Sequence, residues 1–159
     1  MIAKKLFFTI VALGILFLPF SVVAADKNTA RISVLGVNDT PGIAFKIFNK
    51  LAQHKINVDI ILQSVGRDGT KDITFTVSKS NAEETLECVK SIFDIEDKDI
   101  ICDTTVAKIS IVGAGMESHP GTASKMFEAL YERDINIDMI ATSEIKISVL
   151  INLEDADRA

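Results

Sequence analysis

PGIAFKIFNKLAQHKINVDIILQS, from Pro41 to Ser64, returns as PGTASKMFEALYERDINIDMIATS, from Pro120 to Ser143. Aligned without gaps at an offset of 79, the 24-residue windows share 11 identities: Pro, Gly, Ala, Lys, Phe, Leu, Ile, Asn, Asp, Ile and Ser. The stretch before each window repeats as well, ISVLG at Ile32–Gly36 and ISIVG at Ile109–Gly113, at an offset of 77. Only the loop between strand and window changes length, by two residues. Self-similarity of this kind marks two copies of one supersecondary module.

Working outward from the first window, Arg31–Val37 is short, apolar and rich in β-branched residues, and reads as a strand. Asn38-Asp39-Thr40-Pro41-Gly42 is turn chemistry, with Pro41 suited to the first helical position and Thr40 to the N-cap. Ile43, Ala44, Ile47, Phe48 and Leu51 recur at helical spacing. Asn57–Ser64 reads as a second strand, and Asp72–Val77 alternates polar and apolar as a third. Ser80-Asn81-Ala82-Glu83 has the form of a capping box opening a helix whose core face is Ala82, Leu86, Val89 and Phe93. A short strand follows around Asp99–Cys102. The order β-α-β-β-α-β is the ferredoxin-like arrangement.

In the second copy the strand is Ala107–Val112, and the helix packs through Ala123, Met126, Phe127, Leu130 and Tyr131. Strands follow at Asn136–Thr142 and Ile145–Asn152. Leu153 to Ala159 starts what should be the second helix, so this module reads as truncated, lacking most of that helix and its last strand. The expected fold is α+β: two ferredoxin-like modules, residues 26–104 and an incomplete 105–159. Such truncation would leave apolar sheet surface and an edge for a partner to cover.

Residues 1–25 stand outside the pattern. Lys4 and Lys5 precede the uncharged run Leu6–Phe20, and Val22-Val23-Ala24-Ala25 resembles a cleavage site after Ala24 or Ala25. Such a leader points to export or, uncleaved, to membrane anchoring.

Composition narrows the function. Of 159 residues 48% are hydrophobic and 25% charged, ordinary for a globular protein. The net charge of −5 and the absence of Trp speak against nucleic acid as a partner. Cys88 and Cys102 are too few for a metal framework and read as two buried or half-buried thiols. His54 and His119 have no neighbours at metal-ligand spacing. Gly113-Ala114-Gly115-Met116-Glu117-Ser118 lacks the third glycine of a dinucleotide fingerprint. Neither a nucleophilic triad nor an acid–base carboxylate pair stands out, so no catalytic residue, metal or cofactor is assigned. A ferredoxin-like hydrolase of the acylphosphatase kind would need an arginine in the strand–helix loop, and NDTPG and ESHPG have none. What does repeat is that strand–loop–Pro-Gly–helix element, where a helix start offers free N–H groups and partial positive charge to an anion.

VLGVNDTPGIA, KINVDIILQS, DITFTV, KISIVGAGMESHPG and INIDMIATSEIKISVLI together resemble the regulatory region of aspartate kinase, which consists of two ACT modules, small βαββαβ amino-acid sensors. The resemblance runs from about Asp26 to Ala159 and omits a catalytic domain. It implies a feedback site for lysine, threonine or both, with no catalysis by the chain alone. On this resemblance the effector contacts fall on Asp39, Gly42, Ala44 and Gln63 of the first module and on Asn136, Ile137 and Ser143 of the second. His119, Pro120, Gly121 and Thr122 would form the matching site on the second module. The chemistry agrees: helix-start N–H groups beside Gly42 suit a carboxylate, Asp39 an ammonium, and the amides of Gln63 and Asn136 both donate and accept. Implied partners are a second copy joined through ACT sheets, or a catalytic aspartate kinase subunit. The family implies a cytoplasmic protein, whereas the leader implies an exported or anchored one. The alternative function is an exported amino-acid-binding or dimerisation module without a regulatory role.

Overall fold

The computed structural model describes residues 22–65, 69–93, 99–113 and 121–159. In chain order the elements are β1 (Val22–Asp26), β2 (Thr29–Asn38), α1 (Ile43–Gln53), β3 (Ile61–Val65), β4 (Thr70–Ser78), α2 (Ala82–Lys90), β5 (Ile100–Asp103), β6 (Val106–Val112), α3 (Thr122–Tyr131), β7 (Met139–Thr142) and β8 (Lys146–Asn152). Single 3-10 turns stand at Lys79–Asn81 and Leu153–Asp155. Two four-stranded antiparallel sheets result, ordered β3-β4-β2-β5 and β7-β8-β6-β1. The first has the ferredoxin-like order expected for a complete βαββαβ module.

The second sheet departs from the expectation. Its fourth position, beside β6, is filled from the N-terminal side. β1 pairs antiparallel with β6 from Val22 opposite Val112 to Asp26 opposite Lys108. Val22–Asp26, on which the expected end of the leader and the expected boundary at residue 26 fall, is thus a strand of the second sheet. The physical reason is the row of N–H and C=O groups along the free side of β6, which any extended segment can satisfy. The expected vacant edge is occupied for the same reason. Leu6–Phe20 lies outside the described residues.

Each module packs its helices over one sheet face. In the first, Ile32, Val34, Ile73, Phe75 and Val77 point inward and meet Ile47 and Leu51 of α1 and Val89 of α2. Phe48 meets Phe75 edge-on, ring centroids 5.5 Å apart. In the second, Ile109, Ile111, Ile147, Val149 and Ile151 meet Met126 and Leu130 of α3. Tyr131, expected in that core, is 83% exposed; it ends α3 and points away. A third cluster joins the modules: Ile60 packs with Val106, Met139 and Leu150.

Local details also shift. α1 begins at Ile43, not Pro41, because Gly42 takes φ 96°, a left-handed conformation that a helix cannot continue from. No side chain caps it, so Thr40 is not the N-cap. The capping box at Ser80 does not form: a 3-10 turn occupies Lys79–Asn81, α2 starts at Ala82, and the Ser80 hydroxyl meets that of Ser78 at 3.0 Å. β3 and β7 start four and three residues after the expected Asn57 and Asn136. The backbone bonds Asp59 N–H to Thr76 O (3.1 Å) and Asp138 N–H to Leu150 O (2.9 Å) nevertheless carry the pairing toward those positions. Cys88 is buried but Cys102, on the edge strand β5, is exposed, and neither is in a disulfide.

Candidate functional site

Residues alternate along a strand, so the side chains between the core positions face the helix-free side of each sheet. In the first sheet these include Arg31, Ser33 and Thr74, and in the second Lys108, Ser110 and Ser148. Each sheet closes the same small polar link on this face: Thr74 Oγ1 to Ser33 Oγ at 3.0 Å, and Ser110 Oγ to Ser148 Oγ at 2.8 Å. The modules meet along these faces.

Two reciprocal charge clusters cross the junction. The Arg31 guanidinium lies 2.8 Å from Asp103 of β5 and 3.7 Å from Asp138 of the other module. The Lys108 ammonium lies 3.2 Å from Asp26 of β1 and is in direct contact with Asp59 of the other module. Arg31 and Lys108 are 77 apart in sequence, and Asp59 and Asp138 are 79 apart, so each cation is the repeat of the other. Burial works against ionisation of Asp103, but the Thr105 hydroxyl and N–H, together with Arg31, hold its carboxyl below the usual value. Burial likewise opposes the charge on Asp26, and the Asn28 N–H with Lys108 brings it below its usual value. Desolvation would lower Lys108, yet the two carboxylates outweigh it and raise it.

Beyond the cluster, β2 bulges between Val34 and Val37, and the Gly36 N–H donates to Asp72 Oδ1 at 2.8 Å. The chain then turns through Asn38–Gly42. A cavity of about 280 Å³ sits at this turn, walled by Asp39, Gly42, Ala44, Gln63, Lys71 and Ile73, among others. The Lys71 ammonium stands 2.9 Å from Asp39 Oδ1 at its rim. A neighbouring cavity of about 510 Å³ lies between modules, with Arg31, Ser33, Gln63 and Asp72 on one side and Ile137 and Asp138 on the other. Gln63 lines both.

The structure thus gathers four of the expected residues, Asp39, Gly42, Ala44 and Gln63, round one cavity. Ile137 joins Gln63 in the other. Asn136 is exposed and lines neither. Ser143 stands apart, lining a smaller recess with Asp59, Ile60 and Ile61. In the second module Gly121 repeats the left-handed turn of Gly42 at φ 93°, and Thr122 is buried behind it. His119 and Pro120 lie outside the described residues. Sequence reasoning missed Lys71 and the cations Arg31 and Lys108. A signal existed for the latter two, since RIS and KIS keep a cation before the repeated Ile-Ser, and Asp59 and Asp138 are among the shared identities.

Comparison with known proteins agrees with this architecture. Family models described as ACT domain match residues 30–94 and 109–159. The aspartokinase of Helicobacter pylori is 53% identical over 137 residues, covering 86% of this chain and 34% of its own length. That of Corynebacterium glutamicum is 45% identical, covering 86% and 33%. The chain therefore spans about a third of the curated relatives it matches. Among solved structures, the ligand-free regulatory subunit of aspartate kinase from Thermus thermophilus superposes with a TM-score of 0.80 at 40% identity, covering 89% of this chain and 93% of that one. A structure of aspartokinase alpha and beta subunits gives 0.76 at 45% identity, covering 87% and 92%.

Proposed function

The chain belongs to the aspartate kinase family, over its regulatory region of two ACT domains, and from that premise we propose that it senses lysine, threonine or both. The observation that carries this reading is Gln63. This one residue on β3 lines the cavity at the start of α1 and also the cavity closed by the second module. A ligand held there by Asp39, the Gly42 turn, Ala44 and Gln63 would border the surface carrying Ile137. Its binding would favour one packing of module on module, because a ligand shifts an equilibrium only by its different affinities for the states. Asn136 and Ser143, which lie outside these two cavities, would come into contact through such a shift.

The output of the sensor would be delivered to a catalytic aspartate kinase chain, either joined to it or as a separate subunit. Coupling of this kind is reciprocal, so the catalytic partner would alter effector affinity by the factor that the effector alters partner affinity. Calorimetric titration of the full chain with lysine and with threonine, separately and together, tests the reading. Saturable heat with either supports it, and an affinity for one that rises, or falls only to a finite limit, as the other is added would identify two coupled sites. No binding of either up to ~10 mM, where affinity would be below any useful free energy, would overturn it.

A further inference from the structure

We propose that Lys71 is a ligand-binding residue of the first module, taking the α-carboxylate of an amino acid whose ammonium is taken by Asp39. This rests on the amino-acid-sensing reading above and adds a residue to it. Lys71 and Asp39 form an ion pair at 2.9 Å on the wall of the cavity that also holds Gly42, Ala44 and Gln63. The two charges of an α-amino acid hang from one carbon and so lie side by side. A zwitterion laid head to tail against the pair meets an opposite charge at each end. The pair's exposure, 30% at Lys71 and 53% at Asp39, makes its own bond weak, so both side chains can turn to a ligand at little cost. Space is available: a Cβ built on Gly42 would meet no atom within 4 Å.

The repeat supplies an independent observation. Asp39 aligns at the offset of 79 with Ser118. Ile61 faces Phe75 across its ladder and Ile140, its repeat, faces Val149, so position 71 of β4 corresponds to 145, which is Ile145. Both charges are present in the first module and both are missing from the second, although Pro-Gly, the left-handed glycine and the helix start are kept in each. The pair is thus not required by the Pro-Gly and left-handed helix start that both copies share. A pair that reads a zwitterion is needed only where one binds, so the second module should not hold an amino acid in this manner.

Binding of L-threonine, L-lysine and their α-amides to the full chain, to Lys71→Met and to Lys71→Arg decides it. The amides keep the ammonium and lose the carboxylate. Lys71→Met should weaken the free amino acid about tenfold, as expected for one charge-assisted hydrogen bond at a partly exposed position, and leave the amide unchanged. Lys71→Arg should retain most of the affinity. If Lys71→Met binds the free acid as the parent does, or loses acid and amide alike, the proposal is wrong while the sensor reading stands. If the parent binds neither amino acid, both fall. Thermal unfolding of each variant confirms folding, and Lys71→Gln replaces Lys71→Met should the latter fail to fold.

Discussion

Replacing Lys108 by Met tests whether the modules are held together by charge. The Lys108 side chain is only 14% exposed, and its ammonium serves Asp26 and Asp59, each 44% exposed, from different modules. Exposed ion pairs contribute under about 1 kcal/mol, while removing one partner of a buried pair costs about 3–5 kcal/mol. This cluster lies between those limits. Methionine keeps the length and apolar character of the stem, so the loss isolates the charge. Two carboxylates are then left facing each other, with Lys146 at 3.8 Å from Asp59 as partial relief. We expect a loss of about 2 kcal/mol, or about 4–8 °C in Tm for a chain of this size. The pH dependence follows from the shifts. Asp26 has a folded value below its unfolded one, so its contribution is present above the unfolded value of about 4 and disappears as pH falls through the folded value. Lys108 has a folded value above its unfolded one, so its contribution is full below about 10.4 and is lost as pH rises through the folded value. The gap between parent and variant should therefore be widest between those limits and should close toward acid. Denaturant unfolding across pH measures it, with Lys46→Met, on the exposed surface of α1, as the control. A loss no larger than that of the control, or a gap that stays constant down to low pH, would refute the reasoning.

Further outcomes follow from the same packing. Leu150→Ala should cost about 2–5 kcal/mol, because Leu150 is fully buried in the cluster shared by Ile60 and Met139; unfolding with unchanged midpoint would contradict that. Gly42→Ala should destabilise by about 1 kcal/mol through its φ of 96° alone, since no neighbour obstructs the added methyl, and a calorimetric Tm equal to the parent's would dismiss the strain. Removing residues 1–26 should accelerate amide exchange along β6, with β2 as internal reference, because β1 is its partner on that side; unchanged protection of β6 would show that β1 is dispensable.

The sequence by itself determined the two-module α+β plan and most of the inward-facing residues. Those follow from local spacing: period two in Asp72–Val77, helical spacing from Ile43 to Leu51, and the repeat of both. It also brought Asp39, Gly42, Ala44 and Gln63 together through resemblance. The helix starts were read two residues early at Pro41, since Pro suits a first turn, but left-handed Gly42 imposes the true boundary. Only the tertiary structure decided that Val22–Asp26 completes the second sheet. A run of small and β-branched residues beside an apolar stretch looks like a processing site, and nothing local reveals that β6 offers it a hydrogen-bonding edge more than eighty residues away. The same holds for Arg31 with Asp103 and Asp138, for Lys108 with Asp26 and Asp59, and for Lys71 with Asp39. A charged side chain has no periodicity that names its partner. The partner is whichever opposite charge the folded sheets bring within a few ångströms, where partial removal of water makes the attraction count.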